Sequence, residues 1–337
     1  MEQLKQYYTN IYSVAYSSCG HYLVAGNTYG DIAIFNLSPY LEKDDSEQFE
    51  ELHKYPYYKF KAHDAPIYSI VSNKQLIISG GVAELKVWKW SDVKKKNAKS
   101  CWSFTIPQGD SLVKPEINAM VLSKKDDNGL LYVGCGNSKL YCLDVEKQTL
   151  LFVLEGHTDS INCIDLGNSG QECVSGSEDG SMRLWDARKG GNAIHVLEPY
   201  KHNLVNRPEQ GKWIGCVGFD SSDDWLVCGG APTLGVWHIR SLAPSTRLEK
   251  PGILSYVALF HEDTIISGGS EPFINHWSLD GKLNIEVPSS SSNIFTIGVN
   301  SSPTQQILAS AGSNYKIDLC TDFRYKDVAL YFCNNSE

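Results

Sequence analysis

The chain has 337 residues, of which 42% are hydrophobic and 20% charged, a globular balance that excludes a largely disordered polypeptide. Its formal net charge of −9 repels a bare duplex or an anionic membrane on average and favours a basic partner. Ten cysteines include no C-x-x-C pair and several sit inside apolar runs, so they read as buried reduced thiols, not as a zinc site or a disulfide framework.

The start, MEQLKQYYTN, lacks a basic region followed by an apolar one, and no later run approaches the ~18 apolar residues of a membrane span. A soluble intracellular protein is expected, with residues 1–10 as a short helix or lid. Beyond them a glycine-rich turn followed by an apolar or aromatic run recurs. It reads GNTYGDIAIF (26–35), GGVAELKVW (80–88), GCGNSKLYCL (134–143), GSEDGSMRLW (176–185), GGAPTLGVW (229–237), GGSEPFINHW (268–277) and AGSNYKIDL (311–319). Glycines beside carboxylates could cradle a phosphate or a metal, but recurrence makes each turn a hairpin. The last residues of successive copies lie 40 to 55 apart, and the shorter spacings match the ~40–45-residue period of a four-stranded propeller blade.

Each copy follows two β-like runs and precedes an outer one; in the fourth these are INCIDL (161–166), ECVSG (172–176) and NAIHVL (192–197). A lone blade cannot bury both faces and must stack on neighbours. The seven copies therefore predict an all-β fold, a seven-bladed β-propeller in a single domain. Its blades fall at about residues 11–61, 62–107, 114–155, 156–200, 211–250, 251–288 and 291–333. DVALYFC (327–333) follows KIDLCTD (316–322) closely enough to return as the outer strand of the seventh blade.

The fourth copy carries Gly156-His157 and Trp185-Asp186, and in this it resembles a WD40 repeat. The resemblance implies a structural hydrogen-bond chain of His157, Ser175, Asp179 and Trp185 inside the blade. The same residue types also invite a catalytic Ser/His/Asp reading, of which the structural one is preferred. The second copy keeps His63, Ser79 and Trp88 without an aspartate in its turn, and the fifth and sixth keep Trp237 and Trp277, so these blades rely more on packing. No G-x-x-x-x-G-K-[ST], H-E-x-x-H or G-x-S-x-G motif occurs, and no Cys/His cluster has zinc spacing. No enzyme activity, catalytic residue, cofactor, metal or small-molecule substrate is expected.

Several segments outside the hairpins are similar to the THO complex subunit 6 family. They are AGNTYGDIAIF, FKAHDAPIYSIVS (60–72), PEINAMVL (115–122), GHTDSINCI (156–164) and the link YKHNLVNRPEQGKWIGC (200–216). The similarity covers roughly blades one to six and weakens after about residue 290 and in the acidic insertion at 39–56. It implies a WD40 scaffold in the nucleus, a subunit of the THO/TREX assembly that couples transcription to mRNA processing and export. Its partners would be other THO/TREX subunits, with RNA met only indirectly through the complex. An alternative is a substrate receptor of a cullin-type ubiquitin ligase, because Trp185-Asp186-Ala187-Arg188 fits a W-D-x-R box. Asp186 and Arg188 would then contact the adaptor; otherwise Arg188 is an ordinary exposed residue.

Two long links carry anchor-type residues: Leu112, Val113 and Pro115 in one, and Leu204, Val205, Arg207, Pro208 and Trp213 in the other. Exposed apolar and arginine side chains at loop tips suit a protein interface. Leu112, Val113, Leu204, Val205 and Arg207 are the candidate partner-binding residues, whereas Trp213 equally well starts an inner strand. Two insertions after third strands carry charge: Glu42, Asp44, Asp45, Glu47, Glu50 and Glu51 in residues 38–56, and Lys94, Lys95, Lys96 and Lys99 in 91–99. They read as solvated loops or as a bipolar docking surface, and Lys94–Lys96 is too short for an RNA track.

Overall fold

The computed structural model describes residues 6–41, 54–108, 112–123, 129–300 and 306–333. They form seven four-stranded sheets, each with its strands side by side in chain order, and the chain is a seven-bladed β-propeller. Blade one comprises β1 (Ile11–Tyr16), β2 (Tyr22–Asn27), β3 (Asp31–Asn36) and β4 (Tyr58–Lys61), with α1 (Ser38–Leu41) after β3. Blade two has β5 (Ser69–Ser72), β6 (Leu76–Gly80), β7 (Glu84–Lys89), α2 (Trp90–Val93) and β8 (Ser100–Thr105). Blade three has β9 (Ile117–Leu122), β10 (Leu130–Cys135), β11 (Leu140–Asp144) and β12 (Thr149–Leu154). Blade four has β13 (Ile161–Leu166), β14 (Glu172–Ser177), β15 (Met182–Asp186) and β16 (His195–Leu197). In blade five are β17 (Ile214–Phe219), β18 (Trp225–Gly230), β19 (Gly235–His238) and β20 (Ala243–Arg247). Blade six runs β21 (Ser255–His261), β22 (Thr264–Gly269), β23 (Glu271–Ser278) and β24 (Leu283–Pro288), and blade seven β25 (Ile294–Val299), β26 (Leu308–Gly312), β27 (Lys316–Cys320) and β28 (Val328–Tyr331).

Second strands are buried on both faces: Leu23–Asn27 in β2 and Cys173–Ser177 in β14 are wholly buried, whereas β4 and β8 alternate exposed and half-buried residues. Hence the inner hairpins read as near-continuous apolar runs and the outer strands do not. In blades one and four the turn needs glycine for its geometry, whereas Ala83 and Ser138 take the left-handed position in blades two and three. Gly30 has φ +81°, and a Cβ there would lie 2.1 Å from the His63 carbonyl oxygen; Gly180 occupies the same turn position in blade four at φ +87°.

Two compact units share the blades. The first holds Met1–Pro107, Glu271–Phe273 and Val287–Glu337, and with them blades one, two and seven. One of its cores joins Leu23, Phe35, Ile317, Leu319, Leu330 and Phe332, so blade seven packs on blade one; another joins Val24, Ile34, Ile67, Ile77 and Trp88. The Val14 amide donates to Thr296 Oγ1 at 3.3 Å, the Tyr16 hydroxyl donates to the Ile307 carbonyl at 3.0 Å, and Tyr12 stacks on Phe295 at 5.5 Å. Outermost in blade seven, β28 pairs with β27, so this blade draws all four strands from the C-terminal end. Gln6–Tyr8 form a 3-10 turn with Tyr7 and Tyr8 exposed.

The second unit holds Gln108–Ser270 and Ile274–Glu286. Its cores lie between blades: Leu140, Ile161 and Trp185 in one, Met182, Ile214 and Trp237 in the next, and Val227, Leu234, Ile265 and Trp277 in a third. A Cβ on Gly176 would sit 2.4 Å from Ile214 Cγ2, so glycine admits the next blade's isoleucine. Side chains at inner-strand bulges also cross between blades. Asn118 Nδ2 donates to the Ile161 carbonyl at 2.9 Å, and Asn162 Nδ2 to the Ile214 carbonyl at 3.0 Å.

Of the ten cysteines six are buried, Cys163 and Cys333 are half-buried, and Cys19 and Cys101 are exposed. Burial pushes the Cys142 thiol up to about 11 and those of Cys216 and Cys320 to about 12, which makes them inert apolar fillers.

Because Leu330 and Phe332 have no exposed surface, ending the chain after Arg324 should lower the thermal midpoint far more than removing Tyr7 and Tyr8. Phe332→Ala alone is expected to cost about 3–5 kcal/mol, against less than about 0.5 for Tyr8→Ala. Thermal melting checks the order, and a reversed order would place the closing element at the N-terminus.

Candidate functional site

Blade four gathers the four residues singled out by sequence. His157 lies on the link before β13, Ser175 in the middle of β14, Asp179 in the β14–β15 turn and Trp185 near the end of β15. The Trp185 indole donates to Ser175 Oγ at 2.8 Å, Ser175 Oγ lies 2.8 Å from His157 Nε2, and His157 Nδ1 lies 2.9 Å from Asp179 Oδ2. Burial lowers the His157 pKa and so favours the neutral ring. With the proton on Nδ1 it donates to Asp179, and Nε2 accepts from the Ser175 hydroxyl, so every polar group in the chain is matched.

Asp179 works twice, since it also closes its own turn. It accepts from the Thr158 amide at 3.0 Å, the Ser181 amide at 2.7 Å and the Ser181 hydroxyl at 2.6 Å. Desolvation raises its pKa, but the hydrogen bonds from His157, Ser181 and the two amides outweigh it and hold the carboxyl well below the usual range. The order Ser–His–Asp is that of a hydrolytic triad. Ser175, however, has no exposed surface, and the indole N–H already occupies an Oγ lone pair, so no substrate carbonyl can reach it.

The other copies lose the chain by stages. Blade two keeps His63 Nε2 to Ser79 Oγ at 2.8 Å and the Trp88 indole to the same oxygen at 3.1 Å. In blade six the Trp277 indole donates to Ser267 Oγ at 2.8 Å. In blade five Cys228, opposite Gly235 two residues before Trp237, takes the place of Ser175, which stands opposite Arg183 two residues before Trp185, and a thiol is only a weak acceptor. The buried Trp237 indole N–H accordingly has no partner, and its ring packs edge-on to His202 at 5.9 Å.

The candidate partner-binding residues do not form one surface. Leu112 is 98% and Val113 70% exposed, and Leu204 is at the margin of exposure at 36%. Val205 corrects the expectation: it has no exposed surface and packs with Met182, Ile214 and Trp237, because the 202–206 link folds back on its own amide bonds and its carbonyl receives the Thr233 amide at 2.8 Å. Arg207 corrects it too. Its guanidinium donates to the carbonyls of Ala231 at 3.1 Å, Ile253 at 2.8 Å, and Gly230 and Pro232 at 3.4 Å, so it straps main chain instead of projecting to a partner. Trp213 is half-buried and stacks on Tyr256 at 6.0 Å. The Val205 and Arg207 partners lie in distant sequence, and no local signal announces them.

Asp186 and Arg188 form a two-pronged pair, Nε to Oδ1 at 2.9 Å and Nη2 to Oδ2 at 3.0 Å, with the arginine side chain 63% exposed. The acidic run Glu42 to Glu51 lies outside the described residues. Lys94, Lys95, Lys96 and Lys99 are all exposed.

The WD domain, G-beta repeat family matches residues 148–186, the span that ends on Trp185-Asp186. Across its length the chain is similar to THO complex subunit 6 of Homo sapiens, 39% identical over 334 residues that cover 98% of this chain and 95% of that one. It is 37% identical over 324 residues to the THO complex subunit 6 homolog of Danio rerio, covering 96% and 97%. With THO complex subunit 6 of Drosophila melanogaster it shares 30% over 338 residues, covering 100% and 93%.

Two outcomes follow from the buried polar chains. Trp185→Phe strands Ser175 Oγ without its indole donor, whereas Trp237→Phe deletes an N–H that was already unpaired; chemical denaturation should show the first costing about 1–2 kcal/mol more than the second. Acid should also destabilise the fold. Desolvation, aided by Lys86 for His63 and by His261 for His276, holds these two buried histidines at about 4 against an ordinary 6.5. The unfolded chain takes the proton first, so stability is full above about 6.5 and falls as pH drops to about 4, by up to about 3 kcal/mol per histidine. A thermal midpoint flat across that window would contradict the burial of neutral rings.

Proposed function

Because the chain belongs to the THO complex subunit 6 family, we propose that it is a non-catalytic scaffold subunit of a nuclear THO/TREX complex, coupling transcription to mRNA processing and export. The observation that carries the scaffold reading is the pairing of a sealed Ser–His–Asp chain inside blade four with Leu112 and Val113 exposed on the link between β8 and β9. The first is spent on folding and has no access; the second is the kind of apolar tip that partner proteins bury. The net charge of −9 agrees with RNA being contacted by other subunits. In the Trp185–Arg188 box, closure of two arginine donors on Asp186 favours an ordinary surface ion pair over an adaptor-docking finger.

Leu112→Ser, Val113→Ser and Leu204→Ser together should leave the thermal midpoint nearly unchanged, since these side chains are exposed, yet cut recovery with other THO subunits from nuclear extract at least about tenfold. Recovery at wild-type yield would show that these links are not the partner surface.

A further inference from the structure

Residues 90–97 hold three consecutive lysines in a fixed frame. After α2, the amides of Lys94, Lys95, Lys96 and Asn97 donate to the carbonyls of Trp90, Asp92, Val93 and Asp92 at 2.9–3.1 Å, and Lys96 adopts a left-handed φ of 56°. Trp90 anchors the frame: it is 4% exposed and its indole donates to Ser72 Oγ at 3.0 Å. The Tyr57 hydroxyl donates to the Lys94 carbonyl at 3.0 Å, and the Tyr22 ring lies 6.4 Å from that of Tyr57 and 5.8 Å from that of Trp90.

The Lys94 and Lys96 ammonium groups rest on these rings, and among the described residues neither pairs with a carboxylate. Lys94 Nζ is 5.1 Å from the Tyr22 ring centre and 5.9 Å from that of Trp90, and Lys96 Nζ is 4.4 Å from that of Tyr57. Several lysines elsewhere are neutralised, as in Lys139–Glu155, Lys147–Asp144, Lys201–Glu198 and Lys250–Glu286, whereas unpaired ones among the described residues, such as Lys114, Lys212 and Lys282, are scattered singly along the sequence. Among the described residues no carboxylate pairs with Lys94, Lys95, Lys96 or Lys99. Among the described residues, a chain of net charge −9 thus keeps three adjacent lysines without a carboxylate partner, two of them held on aromatic rings. Cation–π contact positions an ammonium while leaving N–H donors free for an acceptor.

We infer that the Lys94–Lys96 surface, framed by Tyr22, Tyr57 and Trp90, docks an acidic segment of a protein partner. Charge complementarity selects the acidic class, and two observations select protein over RNA. Lys94 and Lys96 already cover faces of the rings on which bases would stack. Three adjacent lysines also give too short a phosphate footprint to overcome the repulsion of a long polyanion by the rest of the chain, whereas a few carboxylates need no more than this cluster. The inference rests on the scaffold reading and adds the chemistry of one partner.

The test uses the full chain and a fluorescein-labelled peptide of Glu-Asp-Ser repeats, followed by fluorescence anisotropy at low and physiological salt. Wild type should bind it in a salt-sensitive manner. Lys94→Glu, Lys95→Glu and Lys96→Glu together should weaken binding by about tenfold or more, while the charge-matched Lys114→Glu, Lys212→Glu and Lys282→Glu change it by less than about twofold, both at an unaltered thermal midpoint. No binding by wild type, or equal loss in both variants, would overturn the proposal. So would tighter, patch-dependent binding of oligo-uridylate, which would assign the surface to RNA. Binding that appears only after Glu42, Asp44, Asp45, Glu47, Glu50 and Glu51 are replaced by Ser would assign it to the chain's own acidic run and also overturn it. A chain that fails this test yet still co-purifies with THO subunits leaves the scaffold reading standing.

Discussion

A four-stranded sheet has two faces, and in these blades the second strands are buried on both. No single blade can satisfy that demand, so its core must lie between blades, and the clusters do join residues of consecutive sheets. Several local features follow. Gly176 clears space for Ile214, inner-strand bulges turn Asn118 and Asn162 toward the next blade's carbonyls, and Tyr16 crosses from blade one to Ile307. Burial on both sides also explains why so many thiols can be tolerated, since a Cys there is a small apolar filler.

Polar chemistry enters this core only where it is fully matched. Blade four affords the complete set, with a neutral histidine between a hydroxyl and a carboxylate. Blade two drops the carboxylate, blade six keeps only the indole–serine contact described above, and blade five leaves its indole unpaired. The graded loss shows that packing carries the blades and that the hydrogen-bond chain adds rigidity and turn geometry to one of them. It also explains why a family match falls on residues 148–186: that blade retains the most side chains whose identity is dictated.

The seven hairpins were legible because each carries a glycine-containing segment ahead of an apolar third strand, a local pattern that recurs along the chain. His157, Ser175, Asp179 and Trp185 were legible because their spacing is fixed by one sheet's register. Val205 and Arg207 were not. Whether an apolar or basic residue on a long link faces solvent depends on which distant carbonyls lie beneath it, and Ala231 and Ile253 decide that for Arg207. The bulges were equally silent, since an inserted inner-strand residue leaves the apolar alternation nearly unchanged. Lys94–Lys96 was visible as charge, but its aromatic seat emerges only when Tyr22, Tyr57 and Trp90 are brought together.

The central claim is that the Ser175–His157–Asp179 chain is sealed into the fold and serves structure alone. Hydrogen exchange of the Trp185 indole proton, followed by NMR beside the backbone amides of β14, tests this most directly. The account predicts that indole and amides exchange with the same free energy, that of global unfolding, and that a fluorophosphonate probe leaves Ser175 unlabelled in the native protein. An indole proton exchanging through a low-energy local opening, with Ser175 becoming labelled, would contradict it and reopen the catalytic reading.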